Sequence, residues 1–127
     1  MTRLLVDTSV WIDHLHRRDD QLSAILDLGL VVIHPMVIGE LALGSLRDRE
    51  SVLELLTQLP MVQVAGFEEV LKLVEARELH GIGLSLVDAH LLASTLISAD
   101  VRVWTKDRRL ANAADRAGVG WRVPPNG

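Results

Sequence analysis

Four acidic residues occupy positions where a carboxylate has a chemical use. Asp7 directly follows the apolar run 4–6, and Asp107 comes shortly after the run 101–104. Glu40 and Asp88 lie among apolar residues with helical spacing, which places each on an apolar helix face. Removing a lone carboxylate from water costs several kcal/mol. The sequence therefore predicts that these four groups are paired, protonated or bound to a metal ion.

Each acid also has a purely structural interpretation. Asp7 and Asp107 directly precede predicted helices, and Asp is a favoured N-cap residue. Ser85 and Asp88 have the spacing of a capping box. Glu40 falls in the middle of a predicted helix, where the alternative is a partly exposed position at the helix edge. Four independent caps, however, would have no reason to lie close together.

The elements that must position these acids alternate between strands and helices. The predicted strands are apolar runs at 3–6, 30–33, 61–64, 101–104 and 119–123. The predicted helices span 8–15, 19–28, 35–46, 48–59, 67–79, 85–98 and 107–117. This order is typical of an α/β/α sandwich with a mostly parallel central sheet of four to five strands.

In such a topology the strands end at the same edge of the sheet, so we expect the four carboxylates to gather there. This edge is also where open parallel sheets bind their ligands. Carboxylates ~4 Å apart repel one another by roughly 4 kcal/mol per pair at an effective dielectric constant near 20. A cation or protonation must relieve that repulsion. Oxygen ligands without Cys or an obvious His pair favour Mg²⁺ or Mn²⁺ over zinc. The sequence thus predicts a site for a hard divalent cation.

Composition limits the other classes of function. The chain has 127 residues, which we expect to form a single domain (1–127) with a short flexible tail at 124–127. The absence of Cys excludes disulfides, zinc ribbons and thiol nucleophiles. No apolar run approaches the ~20 residues of a membrane span, so we expect no membrane association and a cytoplasmic protein. A net charge of -4 and 3% aromatic residues argue against a broad basic surface or a base-stacking platform.

Four segments carry a resemblance to a known family. They are LVDTSVWI at 5–12, IGEL at 38–41, SLVDAHLLA at 85–93 and VWTKDRRL at 103–110. In this order they resemble the motifs of PIN-domain ribonucleases, specifically the toxins of VapBC-type toxin–antitoxin pairs. The resemblance covers essentially the whole chain.

The resemblance implies a Mg²⁺- or Mn²⁺-dependent endoribonuclease that a cognate VapB-type antitoxin inhibits. It also implies a homodimer or a larger toxin–antitoxin assembly. The catalytic, metal-binding carboxylates would be Asp7, Glu40, Asp88 and Asp107. The family's hydroxyl groups near the metal would fall on Thr8, Ser9 and Thr105.

Some features depart from the family pattern. His34 and Pro35 stand where a small hydroxyl residue commonly opens the helix that carries Glu40, which puts hydrogen-bond support for Glu40 in doubt. Arg109 and Leu110 replace the residues common after Asp107. Asp107 is therefore predicted to bind metal directly, to act through a water, or to serve the substrate.

The predicted reaction is in-line hydrolysis of a phosphodiester that leaves 5′-phosphate and 3′-hydroxyl ends. The candidates for contacts to the RNA backbone are Lys106, Arg108, Arg109 and Arg116. Their alternative interpretation is a solvated charged helix face.

Other functions stay open. One is a catalytically weak or inactive PIN-like module that binds RNA or serves as a scaffold. Another is metal-free cleavage by two histidines, although His14 and His16 diverge on their helix. A third is a phospho-accepting receiver domain, but this chain lacks the acidic pair that a receiver has at the end of its first strand. Trp11, Leu15, Leu41 and Leu43 are candidates to line a groove for an antitoxin helix, with core packing as the alternative.

Overall fold

A parallel sheet lies at the centre of the computed structural model, which describes residues 1–124; the rest of the predicted tail, 125–127, lies outside it. Its strands are β1 (Arg3–Val6), β2 (Val31–Val32) and β3 (Val101–Trp104), in the order β2-β1-β3. Leu5 pairs with Val32 on one side and with Val103 on the other. The central strand β1 therefore ends between its neighbours, with Asp7 directly after it.

Single parallel bridges extend the sheet at both edges, Ile33 to Met61 and Val103 to Gly120. The segments predicted as strands at 61–64 and 119–123 are thus reduced to one bridge each. At the first edge Ile33 exchanges backbone hydrogen bonds with Pro60 and Val62. The backbone N–H of Gln63 donates instead to Ser98 Oγ at 3.2 Å, which attaches this segment to the end of α6. The predicted parallel sheet is confirmed, with three regular strands and two short edge segments.

A helix forms in each of the seven segments predicted to be helical. The helices are α1 (Thr8–His16), α2 (Asp20–Asp27), α3 (Pro35–Leu43), α4 (Arg49–Gln58), α5 (Phe67–Ala76), α6 (Leu86–Ile97) and α7 (Arg108–Arg116). The helix α5 ends three residues before the predicted boundary, because Glu78 takes a left-handed conformation with φ 51°. In residues 1–124 no helix has both the length and the apolar character to cross a membrane.

The core lies between the sheet and the helices. The helix α6 is its centre, since the seven consecutive residues from Ala89 to Thr95 are all buried. Trp11 and Leu41 are each 1% exposed and belong to this core. Their predicted role in lining an antitoxin groove is therefore wrong, and the alternative of core packing is correct. Leu43, in contrast, is 91% exposed.

A buried polar network connects α3 to α6. His34 Nδ1 accepts a hydrogen bond from the Met36 backbone N–H at 3.0 Å, so His34 is the N-cap of α3. The ring proton is therefore on Nε2, which donates to Ser94 Oγ at 3.1 Å. Ser94 Oγ also accepts from the Ala65 backbone N–H at 3.0 Å. Protonation of Nδ1 would destroy the cap, because a donor would then face the N–H of Met36.

This network predicts a pH-dependent stability. Burial, with a smaller contribution from the charge of His90, lowers the pKa of His34 from 6.5 to about 4. Between these values the unfolded chain binds a proton that the folded chain does not, so the free energy of unfolding falls as the pH falls.

We expect the wild type to lose up to about 2 kcal/mol more than His34→Asn between pH 7 and pH 5. Asn keeps an acceptor at the N-cap but does not titrate. Urea unfolding of both proteins at the two pH values measures this difference. Parallel pH profiles would contradict it.

Candidate functional site

Asp7 begins the site at the carboxyl end of β1. Its backbone N–H donates to the Trp104 carbonyl at 2.9 Å, which joins the ends of β1 and β3. Its side chain is the N-cap of α1 by position but makes no capping hydrogen bond. Instead, Asp7 Oδ2 accepts from Ser9 Oγ and from Thr105 Oγ1, both at 2.7 Å. The capping interpretation therefore does not explain the side chain of Asp7.

The two hydroxyl groups also accept hydrogen bonds from the backbone. Ser9 Oγ accepts from the Lys106 N–H at 3.0 Å, and Thr105 Oγ1 accepts from the Asp107 N–H at 3.0 Å. A carboxylate oxygen can only accept, so each hydroxyl donates its one proton to Asp7 Oδ2. Thus α1 and the segment after β3 are tied together through one carboxylate.

Glu40 reaches the site from α3. It is exposed, so the sequence-based expectation of a position buried within an apolar face is wrong. Its Oε1 accepts from Thr8 Oγ1 at 2.6 Å. Thr8 therefore supplies from α1 the hydrogen bond that the family pattern places at the start of α3. His34 has no part in it, because its two ring nitrogens bond to Met36 and Ser94.

Asp88 and Asp107 have the capping geometry that their sequence positions suggested. Asp88 Oδ2 accepts from the Ser85 N–H at 3.3 Å, and Ser85 Oγ accepts from the Asp88 N–H at 3.0 Å, which completes a capping box on α6. Asp107 Oδ1 accepts from the backbone N–H groups of Arg109 and Leu110 at 2.9 and 3.1 Å. Each of these carboxylates also stabilises a helix start.

All four carboxylates use one oxygen for the protein and leave the other without a hydrogen bond from the described residues. The bonded atoms are Asp7 Oδ2, Glu40 Oε1, Asp88 Oδ2 and Asp107 Oδ1. In residues 1–124, none of the four forms an ion pair with Lys, Arg or His. Their charges are therefore held in place by neutral donors and are not balanced by cations.

The pKa of Asp88 is affected by two of the other acids. Burial raises the pKa of Asp88, its hydrogen bonds with Ser85 lower it, and the charges of Asp7 and Asp107 raise it further. Glu40 joins the same edge through Thr8, the residue that follows Asp7. The structure thus places the four predicted carboxylates at the carboxyl edge of the sheet.

The donor set suits a hard divalent cation because it consists of uncompensated carboxylate oxygens. Within the described part of the chain, however, no group of three or more acidic or His residues is arranged closely enough to hold a metal ion as it stands. Metal ligation by these four residues stays a prediction.

The three basic residues near the site differ in the partners of their side chains. Lys106 Nζ lies 2.6 Å from Asp13 Oδ2, a partner that sequence reasoning missed. Arg108 is exposed at the start of α7. The Arg109 guanidinium lies against Gly83 and contacts its carbonyl oxygen at 3.5 Å. Gly83 has a φ of 86°, and the glycines at 81 and 83 were the only sequence signal for this contact.

The contact between Gly83 and Arg109 predicts a specific sensitivity. A Cβ at position 83 would lie 2.9 Å from Arg109 Nε, and the positive φ disfavours any side chain. We expect Gly83→Ala to lower the free energy of unfolding by about 1 to 3 kcal/mol.

The matched control is Gly39→Ala in α3, where a Cβ meets nothing within 4 Å. We expect that change to stabilise the protein by roughly 0.5 to 1 kcal/mol. Urea unfolding measures both variants. A Gly83→Ala protein as stable as the wild type would show that the loop accommodates a side chain.

The chain is similar to known proteins over most of its length. The family model described as PIN domain matches residues 4–116. Ribonuclease VapC32 from Mycobacterium tuberculosis, in strain CDC 1551 / Oshkosh and in strain ATCC 25618 / H37Rv, is 47% identical to the chain over 116 residues. The match covers 91% of this chain and 94% of either relative. All four candidate carboxylates lie inside the range that the family model matches.

Proposed function

Because the chain belongs to the PIN domain family, we propose that it is a Mg²⁺- or Mn²⁺-dependent endoribonuclease, the toxin of a VapBC-type toxin–antitoxin pair. The observation that carries the proposal is the set of four carboxylates that lack a cationic partner and each keep one oxygen free. The 47% identity to a ribonuclease supports RNA as the substrate.

The residues that would hold the ion are Asp7, Glu40 and Asp88, with Asp107 as a ligand or as the group that positions the attacking water. A metal ion held there would supply Lewis-acid chemistry, since it would make a water molecule more acidic and would polarise the phosphoryl oxygen of the substrate. The products are then expected to carry 5′-phosphate and 3′-hydroxyl ends.

The hydroxyl groups position the carboxylates. Ser9 and Thr105 donate hydrogen bonds to Asp7 Oδ2, which leaves Oδ1 available to bind a metal ion. Thr8 holds Glu40 Oε1 in the same way and leaves Oε2. Outer hydrogen bonds of this kind orient metal ligands and tune their basicity.

Basic residues at the start of α7 are proposed to contact the RNA backbone. Arg109 is next to the Asp107 cap, and Arg108 is exposed beside it. Lys106 can take part only when RNA replaces Asp13 as its partner, because the two side chains form an ion pair.

The proposed partner is a VapB-type antitoxin in the cytoplasm. The side chains available to an amphipathic antitoxin segment are Ile12 on α1, Leu43 on α3 and Leu55 on α4, which are at least half exposed. They replace Trp11 and Leu41 in the groove that the sequence suggested. A basic antitoxin residue that reaches the carboxylates would balance their charge.

A cleavage assay tests the proposed activity. We expect the antitoxin-free protein to cut RNA in Mg²⁺ or Mn²⁺ and not in chelator. Asp7→Asn should lower the rate by more than about 100-fold, and Thr105→Val, which removes only a hydroxyl that holds Asp7, by roughly 10- to 100-fold. Asp27→Asn at the exposed end of α2 is the matched control. Mapping of the product ends identifies the reaction.

Two results would contradict the proposal. Activity that survives in chelator with cyclic phosphate ends would indicate the histidine mechanism. If the folded protein binds RNA without cutting it in either metal, the chain is the inactive PIN-like module instead.

The resemblance also supports a homodimer. Phe67 and Leu71 are one turn apart on α5 and about half exposed, so they offer an apolar face to a second copy. We expect light scattering after size exclusion to give twice the monomer mass at micromolar concentration. Leu71→Lys should shift the mass toward the monomer, whereas Leu28→Lys at the exposed end of α2 should not. A monomeric wild type would contradict this proposal.

A further inference from the structure

A hollow on the surface lies at the far end of α7 from the carboxylates. Its lining residues are Arg77, Leu79, Ala113, Arg116 and Ala117. Its volume is about 170 Å³. Leu79 and Ala113 are buried and form an apolar floor. The polar side chains on its wall are two guanidinium groups, so the hollow is chemically suited to a small anion.

Neither arginine is paired with a carboxylate in the part of the chain that the structure describes. The ion pairs there join Asp13, Asp20, Asp100 and Asp115 to Lys106, Arg18, the N-terminus and Arg122. Glu78 follows Arg77 directly, yet the two side chains form no ion pair. Two arginines without an ion-pair partner in the described residues therefore line one hollow, and an anion bound there would supply that partner.

We propose that Arg77 and Arg116 form a phosphate-binding subsite for the RNA strand that extends from the cleavage site, an inference that rests on the proposed nuclease function. Guanidinium groups bind phosphate through two parallel N–H···O hydrogen bonds. The apolar floor supports the aliphatic stems of the arginines and contacts the sugar.

The helix α7 connects this subsite to the carboxylates. Asp107 is its N-cap and Arg116 is its last residue, nine positions later. At 1.5 Å per residue the two ends are about 13 Å apart along the axis. A stacked strand rises ~3.4 Å per nucleotide, so the subsite would hold a phosphate about four nucleotides from the cut.

A third arginine lies on the same side of α7. Arg109 and Arg116 are seven residues apart, which places them on one helix face. Arg109 contacts Gly83, and Leu79 lines the hollow, so the segment 79–83 runs beside α7 between them. Three guanidinium groups therefore border one seam that begins at the acidic site. This continuity favours an RNA strand over a separate small anion.

The test compares Arg77→Gln/Arg116→Gln with the matched control Arg17→Gln/Arg47→Gln. The control removes the same charge from exposed arginines that have no ion pair in residues 1–124. Binding of a ten-nucleotide RNA is measured by fluorescence anisotropy in the Asp7→Asn background over a range of salt. We expect the Kd of the first double variant to rise about tenfold, with a salt slope smaller by about 0.7 for the lost phosphate contact. The control should keep both values.

Kinetics on RNAs of two lengths show whether Arg77 and Arg116 bind the substrate or only stabilise the fold. With Asp7 intact, the Arg77→Gln/Arg116→Gln protein should show a raised KM and an unchanged kcat on the long RNA. On a trinucleotide, which cannot reach the hollow, its kinetics should equal those of the wild type. Equal losses at both lengths, or no loss at either, would overturn the subsite.

A pyrophosphate titration distinguishes this failure from a failure of the proposed function. The probe is the Nε–Hε NMR signals of Arg77 and Arg116 in the wild-type protein. If the protein neither binds nor cuts RNA but these signals shift with pyrophosphate, the nuclease proposal is wrong and RNA is not the ligand of the hollow. The hollow would then still be a phosphate-binding site. If they shift with neither ligand, the subsite itself is wrong.

Discussion

Negative charges held near one another at the carboxyl edge of the sheet repel, and the surrounding fold has to oppose that repulsion without neutralising the charges. The structure does so with neutral donors. Asp7 is held by two hydroxyl groups, and Asp107 by two backbone N–H groups. Burial is the main reason that the pKa of Asp88 is raised, and the charges of Asp7 and Asp107 add to it. An arginine at this edge would remove the strain, but it would also remove the demand for a cation.

The same donors hold the elements of the fold to one another. Ser9 links α1 to the segment after β3, because it donates to Asp7 and accepts from the Lys106 backbone. Thr8 links α1 to α3 through Glu40. The first turn of α1 is therefore the point from which the strand ends and the other helices of the site are positioned. Local stability and the geometry of the carboxylates depend on the same few hydrogen bonds.

Much of the architecture could be predicted from local patterns. Apolar spacing located all seven helices in the described residues, and buried apolar runs located the strands. What could not be predicted depends on contacts between residues distant in sequence. Ser98 accepts a hydrogen bond from the backbone N–H of Gln63, 35 residues away, and so joins an edge segment to the end of α6. Glu40 is exposed, and Trp11 is buried, because of tertiary packing that periodicity does not encode. The motif resemblance supplied the acids and the hydroxyl residues Thr8, Ser9 and Thr105, but not which carboxylate each hydroxyl holds.

The double use of Asp88 and Asp107 affects how other members of the family should be interpreted. Both side chains stabilise helix starts whether or not the protein is a nuclease, so selection for folding alone retains them. Asp7 and Glu40 cap no helix, and their links to neighbouring elements need only an oxygen that accepts a hydroxyl proton, which an amide side chain also supplies. In a lineage that has lost its activity, acids at the positions of 88 and 107 would persist as remnants. If the carboxylates act as proposed, the residues at the positions of 7 and 40 are therefore the better indicators of a working enzyme.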